Sequence, residues 1–363
     1  MGVIRRTLAS KAVSRLTSPH TPDDYLTHLH PMWTVSAVRG RVVDVIHETG
    51  SASTVMIRPN GAWSGFVPGQ HVEFGVEVDG TRWVRVFTVS SSGARSDGLF
   101  SVSVKAHPDG YVSQFLHAGS LQPGTVVHLS PASGDFVLPT PVPDRVLLIS
   151  GGSGITPVMS MLRTLADRGH TGRVTFLHYA RSREDEMFSA ELDQLATLPF
   201  VQMVRVYTRE PAPGAELTGR VTIDHLKHLG VDPVDVPTWV CGPAGLIQTV
   251  TTLFDDLGAG DRLTAEWFKV PSVNLDAEDA SGTVTYESSR VTADNSGATI
   301  LEQAEAAGLK PAYGCRMGVC NTCAVKKLHG AVRHVISGEV SANTDETIKV
   351  CVNVPVGDVA VDL

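Results

Sequence analysis

Apolar and polar positions along this chain follow three different rhythms. Ile4, Leu8, Ala12 and Leu16 recur at every fourth position, which on a helix makes one apolar stripe. The neighbours of that stripe are basic: residues 1–22 carry Arg5, Arg6, Lys11 and Arg15 and no acidic residue. From about Ala37 to Leu138 the pattern is short strand-like runs broken by Gly, Pro, Asn and Ser. The runs are Arg41–Ile46, Thr54–Arg58, Gln70–Val78, Arg85–Ser90, Leu99–Lys105 and Val126–Ser130. Runs at this spacing predict an antiparallel barrel or sandwich.

At Asp144 the rhythm changes again. Val146–Ser150 is an apolar strand followed by a glycine turn, and Pro157–Arg168 reads as a helix with proline in its first turn. Strands at Val174–Tyr179, Val201–Tyr207 and Thr238–Cys241 then alternate with helices at Ser189–Ala196, Ile223–Leu229 and Leu246–Leu257. That alternation predicts a parallel, doubly wound sheet. Residues 265–281 read as a linker. Beyond it stand two strand-like runs (Thr283–Glu287, Ser289–Thr292), a helix near Ala298–Ala307, a cysteine-rich loop and a terminal strand region. The divisions are therefore an extension (1–36), a β-barrel (37–140), an α/β domain (144–264), a linker (265–281) and a small C-terminal domain (282–363).

Composition narrows the classes. The chain has 363 residues, 42% hydrophobic and 19% charged, which suits a multidomain globular protein. No run approaches the roughly 18 uninterrupted apolar residues of a membrane span. A net charge of −8 argues against a nucleic-acid partner. The N-terminal segment does not read as a secretory signal, because no apolar core of about 7–15 residues follows its arginines. It reads either as a frayed, lightly packed helix or as one that docks on a membrane surface or a partner. The expected location is cytoplasmic, with the inner face of the membrane as the place such a helix would dock.

Five cysteines are too few and too unevenly spaced for a disulfide framework. Cys315-x4-Cys320-x2-Cys323, with Cys351 as the fourth, is the plant-type spacing for a 2Fe–2S cluster. One tight loop aims three thiolates inward, and a separate segment supplies the last. Zinc is the competing reading, but structural zinc sites usually pair two short knuckles, which this pattern lacks.

Gly151-Gly-Ser-Gly-Ile-Thr-Pro157 lies between a predicted strand and a predicted helix, where Gly152, Gly154 and Thr156 suit a pyrophosphate. The next strand ends at Arg181-Ser182-Arg183, with no carboxylate placed to hold a ribose 2′-hydroxyl. Two guanidinium groups and a serine suit a 2′-phosphate, so NADPH is expected over NADH. Alternatively, the arginines form a solvated face against Glu184, Asp185 and Glu186. Cys241-Gly242-Pro243 follows another strand end; a lone cysteine there is ordinarily a packed core thiol.

Together these pieces resemble the ferredoxin–NADP reductase superfamily, in the form with a C-terminal ferredoxin domain, over about residues 38–363. The resemblance implies a flavin barrel, a nicotinamide α/β domain and a β-grasp 2Fe–2S domain. Arg85-Val-Phe-Thr88 is similar to the family's Arg-x-Tyr-Ser flavin motif, with Phe for Tyr and Thr for Ser. It implies that Arg85 binds the flavin phosphate, that Phe87 lies against the isoalloxazine, and that Thr88 hydrogen-bonds near flavin N5. Gly110-Tyr-Val112-Ser113, with Lys105 before it, matches the second flavin segment, and Gly134-Asp-Phe136 matches the segment that closes the domain. A pyrophosphate clamp favours FAD over FMN. Thr156, Cys241, Gly242 and Pro243 should border the nicotinamide, with Thr88 and Cys241 nearest the chemistry. Glu266, Trp267 and Phe268 end the reductase part, near the flavin's exposed face in relatives.

The implied order is NADPH to FAD to 2Fe–2S to an acceptor, a flavin converting one hydride into single electrons. Pro22-Asp-Asp-Tyr-Leu26 and His30-Pro-Met-Trp33 resemble the reductase partners of actinobacterial acyl-CoA desaturases, which would make the acceptor a membrane di-iron enzyme. The alternative acceptor is an alkane, aromatic-ring or steroid hydroxylase, and a passive redox carrier is the third reading.

Overall fold

The structure, a computed structural model, describes residues 17–18, 20–108, 110–209, 217–268 and 281–363. The apolar stripe of residues 4–16 and most of the expected linker, residues 269–280, lie outside the described residues. The chain forms two compact units, Met1–Glu266 and Trp267–Leu363.

Helix α1 (Pro22–Leu29) begins the described part of the first unit. Its start is written in Thr21-Pro-Asp-Asp24. Thr21 N donates to the Asp24 carboxylate at 2.7 Å, Asp24 N donates back to Thr21 Oγ1, and Pro22 takes the first turn. Asp23 ties the helix to the segment leading into the first strand, accepting from Ser36 N at 3.1 Å, Ala37 N at 3.0 Å and Ser36 Oγ at 2.8 Å.

Six strands come next: β1 (Val38–Thr49), β2 (Ala52–Pro59), β3 (His71–Val78), β4 (Thr81–Thr88), β5 (Phe100–Lys105) and β6 (Val126–Leu129), with helix α2 (Tyr111–His117) before the last. They form one sheet in the order β4-β3-β6-β1-β2-β5, and every pair is antiparallel. Val89, one residue past β4, bridges to Val102 of β5, so the two end strands meet at one point. Alternate positions such as Val55, Ile57, Val72, Phe74, Val102 and Val104 bury on the inner face, and α2 closes over them with Val112 and Leu116.

The second sheet has a different cause. Strands β7 (Arg145–Gly151), β8 (Arg173–Ala180), β9 (Val201–Tyr207), β10 (Thr238–Gly242) and β11 (Leu263–Trp267) stand in the order β11-β10-β7-β8-β9. The pairs β10–β7, β7–β8 and β8–β9 are parallel. All but the first residues of β7 and β8, and all of β10, are buried, as expected of strands covered on both faces. Helices α3 (Ile155–Asp167), α4 (Ser189–Leu195), α5 (Ile223–His228) and α6 (Ala244–Asp256) provide the cover. β11 takes in residues 265–267, which the pattern of residues had placed in the linker; Leu263, Ala265 and Trp267 alternate with polar partners and extend the sheet beside β10.

Helix α3 also locks the two sheets together. Ser160 Oγ donates to Ser91 O at 2.8 Å, Arg163 Nη1 donates to Ser90 O, and Thr164 Oγ1 accepts from Gly93 N at 2.9 Å. Trp239 Nε1 adds a bond to Val137 O at 3.1 Å.

Among its described residues the second unit is one mixed sheet around one helix, a β-grasp arrangement. Its strands are β12 (Thr283–Tyr286), β13 (Val291–Asp294), β14 (Ala324–His334), β15 (Val340–Ser341), β16 (Glu346–Lys349) and β17 (Asn353–Val361). The order is β13-β12-β17-β14-β15 with β16 also on β14, and only β12–β17 is parallel among these pairs. Helix α7 (Ile300–Ala306) opens with a Thr299–Glu302 capping box and buries Ile300, Leu301 and Ala304 against Val284, Tyr286, Val359 and Val361.

Candidate functional site

The flavin side is built on β4, where period-2 alternation puts Trp83, Arg85 and Phe87 on one face. Arg85 lies 5.8 Å from the Trp83 ring centroid and donates to Val84 O at 2.7 Å. Phe87 packs edge-on to Phe74 at 5.8 Å. Thr88 is buried and stands opposite His71 in the β3–β4 register. Gly110 caps α2; Ser113 Oγ donates to Gly110 O at 2.9 Å and accepts from His107 N at 3.1 Å. Val112 is fully packed in the sheet's core, so only its backbone is open to a ligand. Lys105 Nζ is 2.5 Å from Asp185 Oδ1, so this side chain reaches across to the nucleotide half of the unit.

Beside Thr88 lies a cluster that its partner His71 organises. His71 Nδ1 is 3.8 Å from Glu266 Oε1, and its Nε2 is 3.3 Å from Ser133 Oγ. Burial holds the Glu266 carboxyl above its ordinary pKa, opposed by His71, and Glu266 Oε2 is buried without a hydrogen-bond partner. Cys241 is buried too; burial first and the Glu266 charge second push its thiol well up. An orphaned Glu266 oxygen next to His71, the register partner of Thr88, is what a site with room for a polar guest shows, and a flavin would fit these residues.

The nucleotide side is a cleft of about 540 Å³ at the carboxyl ends of β7, β8 and β10. Gly151, Gly152 and Ser153 line it on one side, and Pro243, Gly245 and Leu246 line it on another. Gly154 permits this closeness, since a Cβ there would lie 2.3 Å from Cys241 O. Thr156 is buried and donates to Ser153 O at 3.1 Å, and Gly242 is packed against Gly151.

Arg181 lines the cleft, whereas Ser182 and Arg183 do not. Arg183 turns to Asp193 at 2.9 Å on the exposed surface, a solvated position but with Asp193 as its partner rather than Glu184, Asp185 or Glu186. Arg209 and Arg220 line the cleft and were missed from sequence. Arg209 N donates to Arg181 O at 3.0 Å, so β8 and β9 end with two arginines side by side. The signal was available: Thr208-Arg209 ends a predicted strand just as Arg181 does. Lys105 and Asp185 complete this wall.

The cysteines meet in the second unit. Cys320, Cys323 and Cys351 are buried and Cys315 is half-buried, all as free thiols. Cys315 N donates to Cys320 Sγ at 3.2 Å and Cys320 N returns to Cys315 Sγ at 3.3 Å, while Cys323 Sγ lies 3.2 Å from Cys351 Sγ. Met317 N adds a third N–H···S contact at 3.3 Å. Hydrogen bonds from the Cys320 and Cys351 side chains, then those N–H groups, pull the Cys315 thiol far down. Among the described residues no three His, Cys, Asp or Glu side chains converge as one ion would need. Four thiols, three from one loop and one from a separate segment, with backbone N–H groups turned to the Cys315 and Cys320 sulfurs, are a donor set that would fit a 2Fe–2S cluster.

Known proteins resemble each of these parts. The oxidoreductase FAD-binding domain matches residues 49–138, the oxidoreductase NAD-binding domain 148–252 and the 2Fe-2S iron-sulfur cluster binding domain 284–355. The chain is 37% identical to an NADPH oxidoreductase of Mycobacterium tuberculosis, over 97% of this chain and 91% of that protein. It is 32% identical to a glycine betaine monooxygenase reductase subunit of Chromohalobacter salexigens, covering 91% of this chain and 96% of that one. The solved structure of phthalate dioxygenase reductase shares the fold, with a TM-score of 0.58 at 20% identity over 90% of this chain and 97% of that one.

Proposed function

Since the chain belongs to the ferredoxin–NADP reductase superfamily, in the form with a C-terminal 2Fe–2S domain, we propose that it takes electrons from NADPH and delivers them to an acyl-CoA desaturase. At the coarser level it is an NAD(P)H-dependent flavin and iron–sulfur oxidoreductase that uses FAD and a 2Fe–2S cluster.

The observation that supports the electron-transfer reading is that strand pairing brings Cys351 within 3.2 Å of Cys323, while backbone N–H groups of the same loop point at the Cys315 and Cys320 sulfurs. In this reading Cys315, Cys320, Cys323 and Cys351 hold the cluster, and Arg85, Gly110, Ser113 and the Val112 backbone hold FAD. The bound flavin supplies the conversion of a two-electron hydride into single-electron transfers. Thr88 offers a hydroxyl beside it, Glu266 keeps a protonatable carboxyl in a dry site, and Cys241 closes the nicotinamide side without charge. Gly152 and Gly154 let the backbone approach the pyrophosphate, and Arg181, Arg209 and Arg220 favour the extra phosphate of NADPH.

The acceptor is the finer step. The N-terminal pattern of residues 22–33 favours a desaturase, and Leu29 and Trp33 there are exposed, at 76% and 55%. That segment and the basic residues before it would dock at an anionic membrane; no described helix is long and apolar enough to cross one. A monooxygenase acceptor is the second reading, favoured by the relative named as a monooxygenase reductase subunit. Reconstitution with each acceptor separates them: NADPH-driven turnover with a desaturase supports the first, and turnover confined to a hydroxylase overturns it.

A further inference from the structure

One side chain outside the cysteine loop holds that loop from behind. Lys349, the last residue of β16, points Nζ at the carbonyls of Gly318 (2.5 Å) and Val319 (3.3 Å). The Val319 carbonyl and the Cys320 N–H belong to the same peptide unit, and that N–H donates to Cys315 Sγ at 3.3 Å. An ammonium is thereby coupled to a ligand sulfur through one polarisable peptide. Bonds linked in series strengthen one another by about 10–30% each.

The arrangement is fixed and its charge is not cancelled locally. Gly318 sits at φ +74, and a Cβ there would lie 2.9 Å from Val352 Cγ1, so the loop tip is wedged against the segment after Cys351. Arg316, the cation within the loop, is paired with Glu305 and stacked 3.8 Å over Tyr313. Among the described residues no carboxylate lies within ion-pair distance of Lys349.

We propose that Lys349 is a positioning residue that raises the cluster's reduction potential through the Val319–Cys320 peptide. The proposal rests on the reading of the four cysteines as 2Fe–2S ligands. Reduction adds one electron and no proton, so the sulfur ligands gain negative charge. Hydrogen bonds to those sulfurs and the net charge nearby are terms that set the potential. A lysine that polarises the Cys320 N–H stabilises the reduced state more than the oxidised one.

The test uses the full chain with Lys349→Met, Lys349→Gln and Lys349→Arg, titrated potentiometrically with the cluster read by electron paramagnetic resonance. The flavin potential in the same titration is the internal control, and release of iron to a chelator is read separately. Lys349→Met is expected to shift the reduced-to-oxidised ratio of the cluster about tenfold toward oxidised at fixed poise, about 59 mV for one electron. The flavin should not move, and Lys349→Arg should restore the ratio. Should the methionine variant fail to retain iron, the glutamine variant, which keeps a donor without the charge, supplies the same comparison. An unchanged cluster potential overturns the proposal even if iron leaves faster, because that pattern belongs to a purely structural staple. A wild-type chain with no 2Fe–2S signal overturns the ligand reading itself.

Discussion

Cys323 Sγ lies 3.2 Å from Cys351 Sγ although 28 positions separate the two residues. The chain achieves this with strand pairing: β16 runs antiparallel to β14 with Lys349 opposite Ala324, and Val350 N donates to Cys323 O at 3.2 Å. Cys351 is therefore delivered by the sheet, while the other three cysteines are delivered by a loop.

Cys351→Ser should remove the 2Fe–2S absorbance and lower the iron content. NADPH oxidation with ferricyanide, which needs only the flavin, should persist. An unchanged iron content would show that the fourth ligand lies elsewhere.

The nucleotide cleft gives the second prediction. Arg209→Ala should raise KM for NADPH about tenfold or more, the cost of one charge-assisted hydrogen bond, and change KM for NADH little. Arg183→Ala should change neither, since Arg183 is held by Asp193 on the surface. Steady-state kinetics with both nucleotides check the pair, and a larger effect from Arg183 would reverse the assignment.

The contrast between Arg183 and Arg209 marks the limit of what the sequence made legible. Local spacing revealed the cysteine set, the glycine turn and the alternation of strands and helices. It could not say which of two arginines in Arg181-Ser182-Arg183 faces the cleft, because Asp193 on α4 decides that through space. Arg220 and the His71–Glu266 contact are likewise tertiary, joining residues far apart in the chain. Helix α1 was missed for another reason. It buries none of its residues, its apolar face is only Tyr25, Leu26 and Leu29, and its other marks are Pro22 and the Thr21–Asp24 capping box.

Gly154→Ala should damage the nucleotide site without touching a charge. The added methyl would meet Cys241 C at 2.4 Å and Gly242 Cα at 2.5 Å, backbone atoms that cannot step aside. Overpacking of this kind costs about 1–3 kcal/mol. Loss of NADPH binding, with flavin content retained, is the expected outcome in a titration of flavin fluorescence.

His178 predicts a pH dependence. It is fully buried, hydrogen-bonded to Ser150 Oγ at 2.7 Å, and its pKa is lowered to about 3, by burial first and then by Arg205 and Lys105. Unfolding lets it bind a proton anywhere between pH 3 and its ordinary value of 6.5. The unfolded state then holds more protons, so stability falls as pH drops through that window, by about 1.4 kcal/mol per unit. Urea unfolding of wild type and His178→Asn at pH 4.5 and 6.5 should show a shallower slope in the variant, and equal slopes would remove His178 as the cause.

The most direct test is an anaerobic visible spectrum of the purified protein before and after one equivalent of NADPH, repeated with NADH. Bleaching of a flavin band together with loss of 2Fe–2S absorbance, faster with NADPH, is the predicted result. A colourless protein, or a flavin that ignores both nucleotides, would contradict the electron path from nucleotide to cluster.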